Sequence, residues 1–257
     1  MLERLFGLAE NGTDVRREVL AGLTTFLTMA YIVVVNPSIL SDTGMDWGAV
    51  FVATCLAAAL GCLIMGLYAN YPFGLAPGMG LNAYFTYGVV LGMEIAWQTA
   101  LGAVFLSGIL FLIISLLPIR EWIINAIPMA LKMAISAGIG FFLAIIALKN
   151  AGVVVDSQAT LVTLGDLTAT STLLAMLGFV IMVALSYHKI PGAVLIGILA
   201  VSLIGVPFGV AEFDGVVSMP PDPSATFLQM DVAGAVEMGL ISVVLVFLFV
   251  DLFDSSG

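Results

Sequence analysis

Two acids one helical turn apart are the residues in this sequence best suited to chemistry. Asp251 and Asp254 lie in VLVFLFVDLFDSSG, at the end of an apolar run with no basic residue nearby. A carboxylate at the bilayer centre costs about 2.5 to 3.5 kcal/mol on insertion scales, so such residues normally face a cavity. A carboxyl group removed from water keeps its proton to higher pH, which suits a proton-coupled carrier. The alternative is that both acids mark the cytoplasmic end of a shortened span.

A second candidate lies between Asn70 and Gly88, in NYPFGLAPGMGLNAYFTYG. Pro77 cannot donate a backbone hydrogen bond, and the glycines around it permit conformations that a helix excludes. Inside a bilayer, irregular backbone survives only where it lines a cavity enclosed by protein. We therefore predict an extended piece at Gly74 to Met79 and then a half-helix that starts near Asn82, whose side chain caps it. A kinked packing helix or a re-entrant turn at the cytoplasmic surface is the alternative.

The first apolar segment carries a polar stripe. Thr24, Thr28 and Tyr31 in GLTTFLTMAYIVVVNP recur at helical spacing and so share one side of a helix. Threonines in a span often bond only the backbone of their own helix, which is the alternative to a functional role.

Composition identifies the elements that must hold these residues. The chain has 257 residues, of which 61% are hydrophobic and only 9% are charged, whereas soluble domains have roughly 25% charged residues. A polytopic membrane protein is therefore predicted, and a span needs about 20 mainly apolar residues. The candidate spans lie near 18–35, 48–68, 73–92, 98–117, 130–148, 171–187 and 190–206, with an eighth from about 237 that is cut off at Gly257.

The basic residues predict the orientation, because Lys and Arg concentrate in short cytoplasmic loops. With the N-terminus in the cytoplasm, only Lys149 falls outside. The cytoplasmic side then holds Arg4, Arg16, Arg17, Arg120, Lys132 and Lys189. The first 18 residues show no removable signal peptide. We expect a multi-pass protein of the plasma membrane, the inner membrane of the cell, with a cytoplasmic N-terminus.

Other residues that could do chemistry have simpler explanations. Cys55 and Cys62 are seven residues apart, which is no metal spacing, and they are interpreted as small lipid-buried thiols. His188 lies beside Lys189 at a cytoplasmic helix end, where a surface role is expected. The chain has no phosphate-binding glycine loop and no nucleic-acid patch, so neither an enzyme, a metal site nor a nucleic-acid partner is predicted.

Several motifs together resemble one family, the AzgA-like branch of the xanthine/uracil permease superfamily, which carries adenine, guanine and hypoxanthine. The motifs are LTTFLTMAYIVVVNPSIL, YPFGLAPGMGLNAYFTY, KMAISAGIGFFLAIIALKNAG, KIPGAVLIGIL and FVDLFDSSG. The resemblance covers nearly the whole chain, and APGMGLNAYF with FVDLFD is specific.

The resemblance implies an all-α polytopic membrane protein with seven-plus-seven inverted repeats, a core domain and a gate domain. It also implies short strands in the third and tenth spans, and proton symport with no cofactor besides the proton. A full permease needs a second repeat, so this chain is expected to be an amino-terminal fragment, the first half of the transporter. The expected partners are a purine nucleobase, the lipid bilayer and, through the gate domains, a second copy.

The same resemblance places the boundaries along the chain. The expected parts are a cytoplasmic N-terminus (1–17), core spans one to four (18–118), an interfacial linker helix (119–128), gate spans five to seven (129–206), an extracytoplasmic loop (207–236) and the truncated eighth span, again in the core (237–257).

The resemblance also suggests the site. Asp254 matches the eighth-span acid that binds the base, and Asn82 matches the asparagine after the third-span strand. Asp251 is expected to tune Asp254 and to share in proton coupling. The strand's backbone groups would come from Ala76, Pro77, Gly78, Met79 and Gly80. Carboxylate, amide and backbone groups would read the rim of a purine while apolar side chains cover its faces.

The sequence leaves other classes of protein open. A purely structural membrane subunit is one, but it would leave the broken third span and the buried acids without a purpose. A related fold serves anion carriers, and a transporter of another small solute, a pyrimidine base or an anion, is the alternative, although a buried acidic pair without a compensating cation favours a neutral base over an anion. An intramembrane aspartyl protease also uses two buried acids, yet those come from different helices, whereas Asp251 and Asp254 share one.

Overall fold

The computed structural model describes residues 6–117, 125–126, 128–158, 160–211, 215 and 218–254, apart from the side chains of residues 253 and 254. This part of the chain is mainly helical. Its α-helices are α1 (Val15–Met29), α2 (Ile32–Ser41), α3 (Trp47–Leu63), α4 (Met79–Ala83), α5 (Trp97–Leu116), α6 (Met129–Asn150), α7 (Thr170–Tyr187), α8 (Ala193–Gly205), α9 (Val232–Glu237) and α10 (Ile241–Asp254). The strands are β1 (Val154–Ser157) and β2 (Leu161–Leu164).

Helical runs of membrane-spanning length confirm the prediction of a multi-pass membrane protein. Within the described residues, five runs are long and apolar enough to cross a bilayer: Val15–Ser41, Trp47–Ala69, Trp97–Leu116, Met129–Asn150 and Thr170–Tyr187. Two shorter apolar helices, Ala193–Phe208 and Ile241–Leu252, correspond to the predicted seventh and eighth spans. At most 28% of the most apolar window of any long run is buried, as expected for helices whose outer faces meet lipid.

The third predicted span is broken, and the break differs in detail from the prediction. Two π-helices flank it, Ile64–Ala69 before and Tyr84–Val90 after α4, and residues 70–78 form neither helix nor strand. The expected strand is therefore absent from this segment. α4 begins at Met79 behind Gly78, which takes an extended conformation (φ −74°, ψ 124°) and caps the helix without a side chain. The predicted cap by Asn82 is wrong, because Asn82 lies inside α4.

A short hairpin is the only β-structure in the described part of the chain, and sequence reasoning missed it. β1 and β2 pair antiparallel, with Val154 opposite Leu164 and Ser157 opposite Leu161. The hairpin follows α6. Nζ of Lys149, near the end of α6, lies 3.5 Å from Oδ1 of Asp156 in β1. Both side chains are largely exposed, so this ion pair adds little stability.

The described residues divide into two compact units. The first comprises residues 1–35, 54–76 and 145–219, and the second comprises residues 36–53, 77–144 and 220–257. The boundaries pass through α2, α3 and α6, so they do not follow the expected core and gate domains, which stay a prediction. Most of the expected linker helix, 119–128, lies outside the described residues.

In the first unit, α7 packs against α8 through small residues. A Cβ at Gly178 would lie 2.8 Å from Val201 Cγ2, so a larger residue there would push the helices apart. In the second unit, α5 packs against α9 and α10. The core consists of Met45, Val50, Phe85, Val89, Val90, Ala100, Ala103, Ala235, Leu240, Val243, Val244 and Phe247. This core fixes the positions of α4, α5 and α10, the helices that carry the candidate site.

Candidate functional site

A cavity in the second unit brings two of the predicted site residues together. Its volume is about 240 Å³. Pockets for drug-sized ligands have roughly 300–1,000 Å³, so this cavity suits a ligand smaller than a drug molecule. Its lining consists of Leu40, Met45, Leu81, Asn82, Phe85, Leu101, Val104, Ser107, Gly108, Phe247 and Asp251. Asn82 and Asp251 both line it, although 169 positions of sequence separate them.

The helix α10 presents Asp251 to this cavity. Phe247 and Asp251 are four residues apart, so both lie on the same face of the helix, and both line the cavity. The adjacent Leu252 is only 1% exposed, which anchors the helix in this rotation. None of the described lining residues is Lys, Arg or His, so the described lining has one acid and several dipolar groups but no basic side chain.

Three side-chain hydrogen bonds connect α2 and the residue after it to α4 and the π-helix that follows α4. Asn82 Nδ2 donates to Asn36 Oδ1, and Thr86 Oγ1 donates to the carbonyl oxygen of Ile39 at 3.2 Å. Tyr87 completes the series by donating from its hydroxyl group to Asp42 Oδ2 at 2.7 Å. We call these three bonds the polar ladder. Asn36 is 4% exposed and Thr86 is 0% exposed, so the first two bonds each satisfy a buried side chain.

Aromatic rings form the apolar part of the cavity wall. Phe247 contacts Tyr84 edge to face at a centroid distance of 5.3 Å and Phe85 at 6.4 Å. Phe85 and Phe247 both line the cavity and both are more than 95% buried. A flat ring bound here would meet aromatic and aliphatic faces, while Asn82, Ser107 and Asp251 offer polar groups.

The remaining predicted site residues are placed as follows. Asp254 is the last residue of α10, and its side chain lies outside the described residues. Pro77 and Gly78 lie in the segment before α4, Met79 and Gly80 form its first turn, and none of these four lines the cavity. Ala76 belongs to the first unit.

The threonines of the first span bond their own helix. Thr24 Oγ1 donates to the Leu20 carbonyl at 2.9 Å, and Thr28 Oγ1 donates to the Thr25 carbonyl at 2.7 Å. These bonds satisfy the hydroxyl groups within the helix, which is the simpler of the two explanations weighed for the stripe.

The segment before α4 is held by a thiol, which sequence reasoning missed. Cys62 Sγ donates to the Leu75 carbonyl at 3.3 Å and accepts from the Leu75 amide at 3.1 Å. One side chain of α3 therefore satisfies both backbone groups of a residue that has no strand partner. Beside it, a Cβ on Gly74 would lie 2.6 Å from Met29 Sδ and 2.8 Å from Thr25 Cγ2, so a larger residue would have to displace these two side chains of α1.

A larger cavity of about 570 Å³ lies in the first unit, between α1, α3 and this segment. Its described lining is mostly apolar, and it includes both cysteines, Glu18, Thr25 and Tyr71. The Thr25 hydroxyl already bonds the Ala21 carbonyl at 3.0 Å. With few polar groups left to read the edge of a ring, this cavity is the weaker candidate.

The match to a family decides what kind of protein has this cavity. A model described as a permease family, that of the xanthine/uracil permeases, matches residues 16–257. The chain belongs to the xanthine/uracil permease family. With several helices that are long and apolar enough to cross a bilayer, this member of the family is a multi-pass membrane protein.

Several relatives of the chain carry names that specify substrates. The adenine permease AdeP of Escherichia coli is 49% identical over 257 residues, which cover 100% of this chain and 58% of AdeP. The adenine permease AdeQ of the same organism is 47% identical over 256 residues, covering 100% of this chain and 58% of AdeQ. The guanine/hypoxanthine permease PbuO of Bacillus subtilis is 43% identical over 259 residues, covering 98% of this chain and 60% of PbuO. The permease chain thus spans about three fifths of the length of these curated relatives.

Proposed function

We propose that this permease takes part in the import of purine nucleobases by proton symport, with Asn82 and Asp251 in the substrate site. The single observation that carries the proposal is that both residues line one cavity of the second unit. The names of the relatives support adenine, guanine and hypoxanthine as the candidate substrates.

The chemistry of the cavity suits a neutral, flat, polar-edged molecule. Aromatic and aliphatic side chains can cover both faces of a ring, and the amide and carboxylate can hydrogen-bond its edge. A carboxylate without a cation in the described lining disfavours an anionic substrate, because like charges repel in a site of low dielectric constant. Another neutral base, such as a pyrimidine, is the second candidate, since the same groups would bind it.

Asp251 and Asp254 are the proposed proton carriers. A carboxyl group in a span faces a lower dielectric constant than water, and intramembrane acids commonly mark proton pathways.

The proposed arrangement also has a cytoplasmic N-terminus, core and gate domains as expected from the family likeness, and a homodimer through the gate domains.

Uptake of labelled bases tests the proposal. The full product of the gene is expressed in cells that lack their own purine transport, and uptake of adenine, guanine, hypoxanthine and uracil is measured at acidic and neutral external pH. We expect purine uptake that rises with acidity and that unlabelled purines inhibit. Uptake of uracil without uptake of purines would mean that the substrates are pyrimidine bases and not purines. Purine uptake that does not depend on the proton gradient would refute proton symport.

Asn82→Ala tests the site itself. We expect its KM for the preferred purine to rise about 2- to 10-fold, because one hydrogen bond of about 0.5–1.5 kcal/mol is lost. The amount of protein in the membrane should stay at the level of the unaltered permease. Unchanged uptake kinetics in this variant would remove Asn82 from the site.

A further inference from the structure

Ser107 carries a buried hydroxyl group in the wall of the candidate site. The residue lies in α5, is only 4% exposed, and belongs to the described lining of the cavity. Because the outer surface of the chain is closed to it, the cavity is the open space that Ser107 borders. A ligand in the cavity would therefore lie beside this residue.

The Ser107 hydroxyl makes no hydrogen bond to any residue that the structure describes. Two other buried hydroxyl groups of the second unit are paired. Thr86 donates to the Ile39 carbonyl at 3.2 Å, and Thr99 donates to Asp231 Oδ2 at 3.4 Å. A buried hydroxyl group without a partner is destabilising and is uncommon in native proteins. The group at position 107 thus has an unused donor and acceptor at the edge of an open space.

The rotation of α5 places this part of the helix on the cavity. Val104 lies three residues before Ser107 and Gly108 directly follows it, and all three line the cavity. The other polar residues of the described lining are Asn82 in α4 and Asp251 in α10. Polar groups from three different helices therefore border the same space.

We infer that Ser107 is a third substrate-binding residue, whose hydroxyl group donates a hydrogen bond to an acceptor on the edge of the bound ring. Ring nitrogens and exocyclic carbonyl oxygens of nucleobases are acceptors of this kind. Both purines and pyrimidines have them, so Ser107 adds affinity for a ring with a polar edge. The identity of the ligand rests on the proposed function, whereas the burial of the hydroxyl group and its position at the cavity do not.

Two substitutions at position 107 test the inferred hydrogen bond. Ser107→Ala removes the hydroxyl group, and we expect the KM for the preferred purine to rise about 2- to 10-fold with little change in kcat. Ser107→Cys keeps a similar shape and a weaker donor, so its KM should lie between the two. An unchanged KM in Ser107→Ala would overturn the inference and leave the proposed function standing.

Melting temperatures of the purified full-length permease separate this role from a structural one. Without ligand, Ser107→Ala should melt no lower than the unaltered protein, because it removes no hydrogen bond to a described residue. A saturating purine should raise the melting temperature of Ser107→Ala by less than that of the unaltered protein, since the stabilisation follows the affinity. A clearly lower melting temperature of ligand-free Ser107→Ala would mean that the hydroxyl group is bonded inside the protein, and the inference would be wrong.

Thr86→Val and Ser115→Ala are the matched controls. Thr86→Val removes a buried, paired hydroxyl group outside the described lining, so the melting temperature should fall while KM stays within about twofold. Ser115 lies about two turns further along α5, is exposed and is not in the described lining, so Ser115→Ala should change neither quantity. If Thr86→Val raises KM as much as Ser107→Ala does, disturbed packing explains both effects and the binding role is wrong.

The same experiments distinguish failure of this inference from failure of the proposed function. If the unaltered permease takes up uracil and no purine, the KM comparison is made with uracil, and the same rise is expected in Ser107→Ala. If it takes up neither base, the proposed function fails. The melting temperature of ligand-free Ser107→Ala then decides: a fall overturns the inference, and no fall supports it.

Discussion

At the scale of single residues, the cavity shows how few polar groups suffice to define a site. Asn82, Ser107 and Asp251 are the polar residues in its described lining, and each comes from a different helix. Ser107 is 4% exposed and was not predicted, because a serine in an apolar helix gives no signal that separates it from a packing residue. The roles proposed for Asn82 and Asp251 follow from their residue types, whereas their presence in one cavity follows from the fold.

Replacing each acid by its amide tests which one couples proton movement to transport. If Asp251 carries the proton, Asp251→Asn should abolish the dependence of uptake on external pH and lower the kcat/KM for purine about 10- to 100-fold, the loss of a charged hydrogen bond of about 1.5–3 kcal/mol. The measurement is purine uptake as a function of pH, with Asp254→Asn assayed in parallel. If only Asp254→Asn loses the pH dependence, the proton role belongs to Asp254 alone.

Two loop acids are unsuited to this role. Hydrogen bonds from the side chain and backbone of Thr168 lower the pKa of Asp166, and those from the backbone and side chain of Ser224 lower the pKa of Asp222. A carboxyl group with a lowered pKa is ionised, and so keeps its stabilising hydrogen bonds, at any pH above its ordinary pKa. The ionised form is lost only as the pH falls through the lowered pKa. Both groups therefore stay ionised between about pH 5 and 8.

Uptake should accordingly keep its pH dependence in the variants Asp166→Asn and Asp222→Asn. Neither substitution alters a group that titrates in the range of the assay. The check is the ratio of uptake at acidic and neutral external pH, compared with that of the unaltered permease. A ratio that falls to one in either variant would show that a loop acid takes part in coupling.

At the scale of elements, the break before α4 depends on a side chain from another helix. Residues 70–78 have no ladder of hydrogen bonds with a neighbouring strand, and Cys62 bonds both backbone groups of Leu75 instead. The prediction of a break succeeded because Pro77 and the glycines exclude a continuous helix. The predicted strand is absent because Cys62, and not a neighbouring strand, bonds Leu75, a contact that the sequence pattern does not reveal. The predicted cap failed because α4 begins at Met79, three residues before Asn82.

Cys62→Ala should loosen this segment, and the chain offers a close control. We expect the melting temperature of the purified permease to fall by about 2–4 °C, since about 1 kcal/mol of hydrogen bonding is lost. Cys62→Ser should recover part of the loss because a hydroxyl both donates and accepts. Cys55→Ala removes the other thiol of α3 and leaves both bonds from Cys62 to Leu75 in place, so it should have little effect. Equal losses in both alanine variants would mean that packing alone is responsible.

The positions of the other elements followed from hydropathy and length, which depend on local composition. The hairpin of β1 and β2 was missed because the residues after α6 were interpreted only as an outside loop. Its alternating valines and threonine are typical of strands, as in VVDS and LVTL, and the turn between them is short. A search for two β-prone runs joined by a short turn would have found it.

At the scale of the whole molecule, the charges predict an orientation that the helices alone do not reveal. With the N-terminus in the cytoplasm, Thr13 lies inside and Gln158, at the exposed turn of the hairpin, lies outside. A single cysteine at either place reports its side of the membrane. Each single cysteine is introduced into a protein in which the two natural cysteines are replaced, Cys55→Ala and Cys62→Ser. The serine hydroxyl at position 62 keeps a donor and an acceptor for Leu75.

A membrane-impermeant thiol reagent added to intact cells should label Gln158→Cys and not Thr13→Cys. Both should be labelled once the cells are opened. The expectation follows from the concentration of Lys and Arg on the cytoplasmic side of the predicted topology. If only Thr13→Cys is labelled in intact cells, the N-terminus lies outside and the predicted orientation is wrong. The description of the cavity and its residues would not change.

The two π-helices beside the break have a consequence for how this span can vary in length. A π turn closes its hydrogen bonds over five residues instead of four, so it holds more chain than an α turn of the same rise. Ile64–Ala69 and Tyr84–Val90 can therefore each lose a residue by tightening to α geometry, without moving the ends of the span. Single-residue gaps between this chain and other permeases are expected to fall in these two turns and not between Gly74 and Asn82.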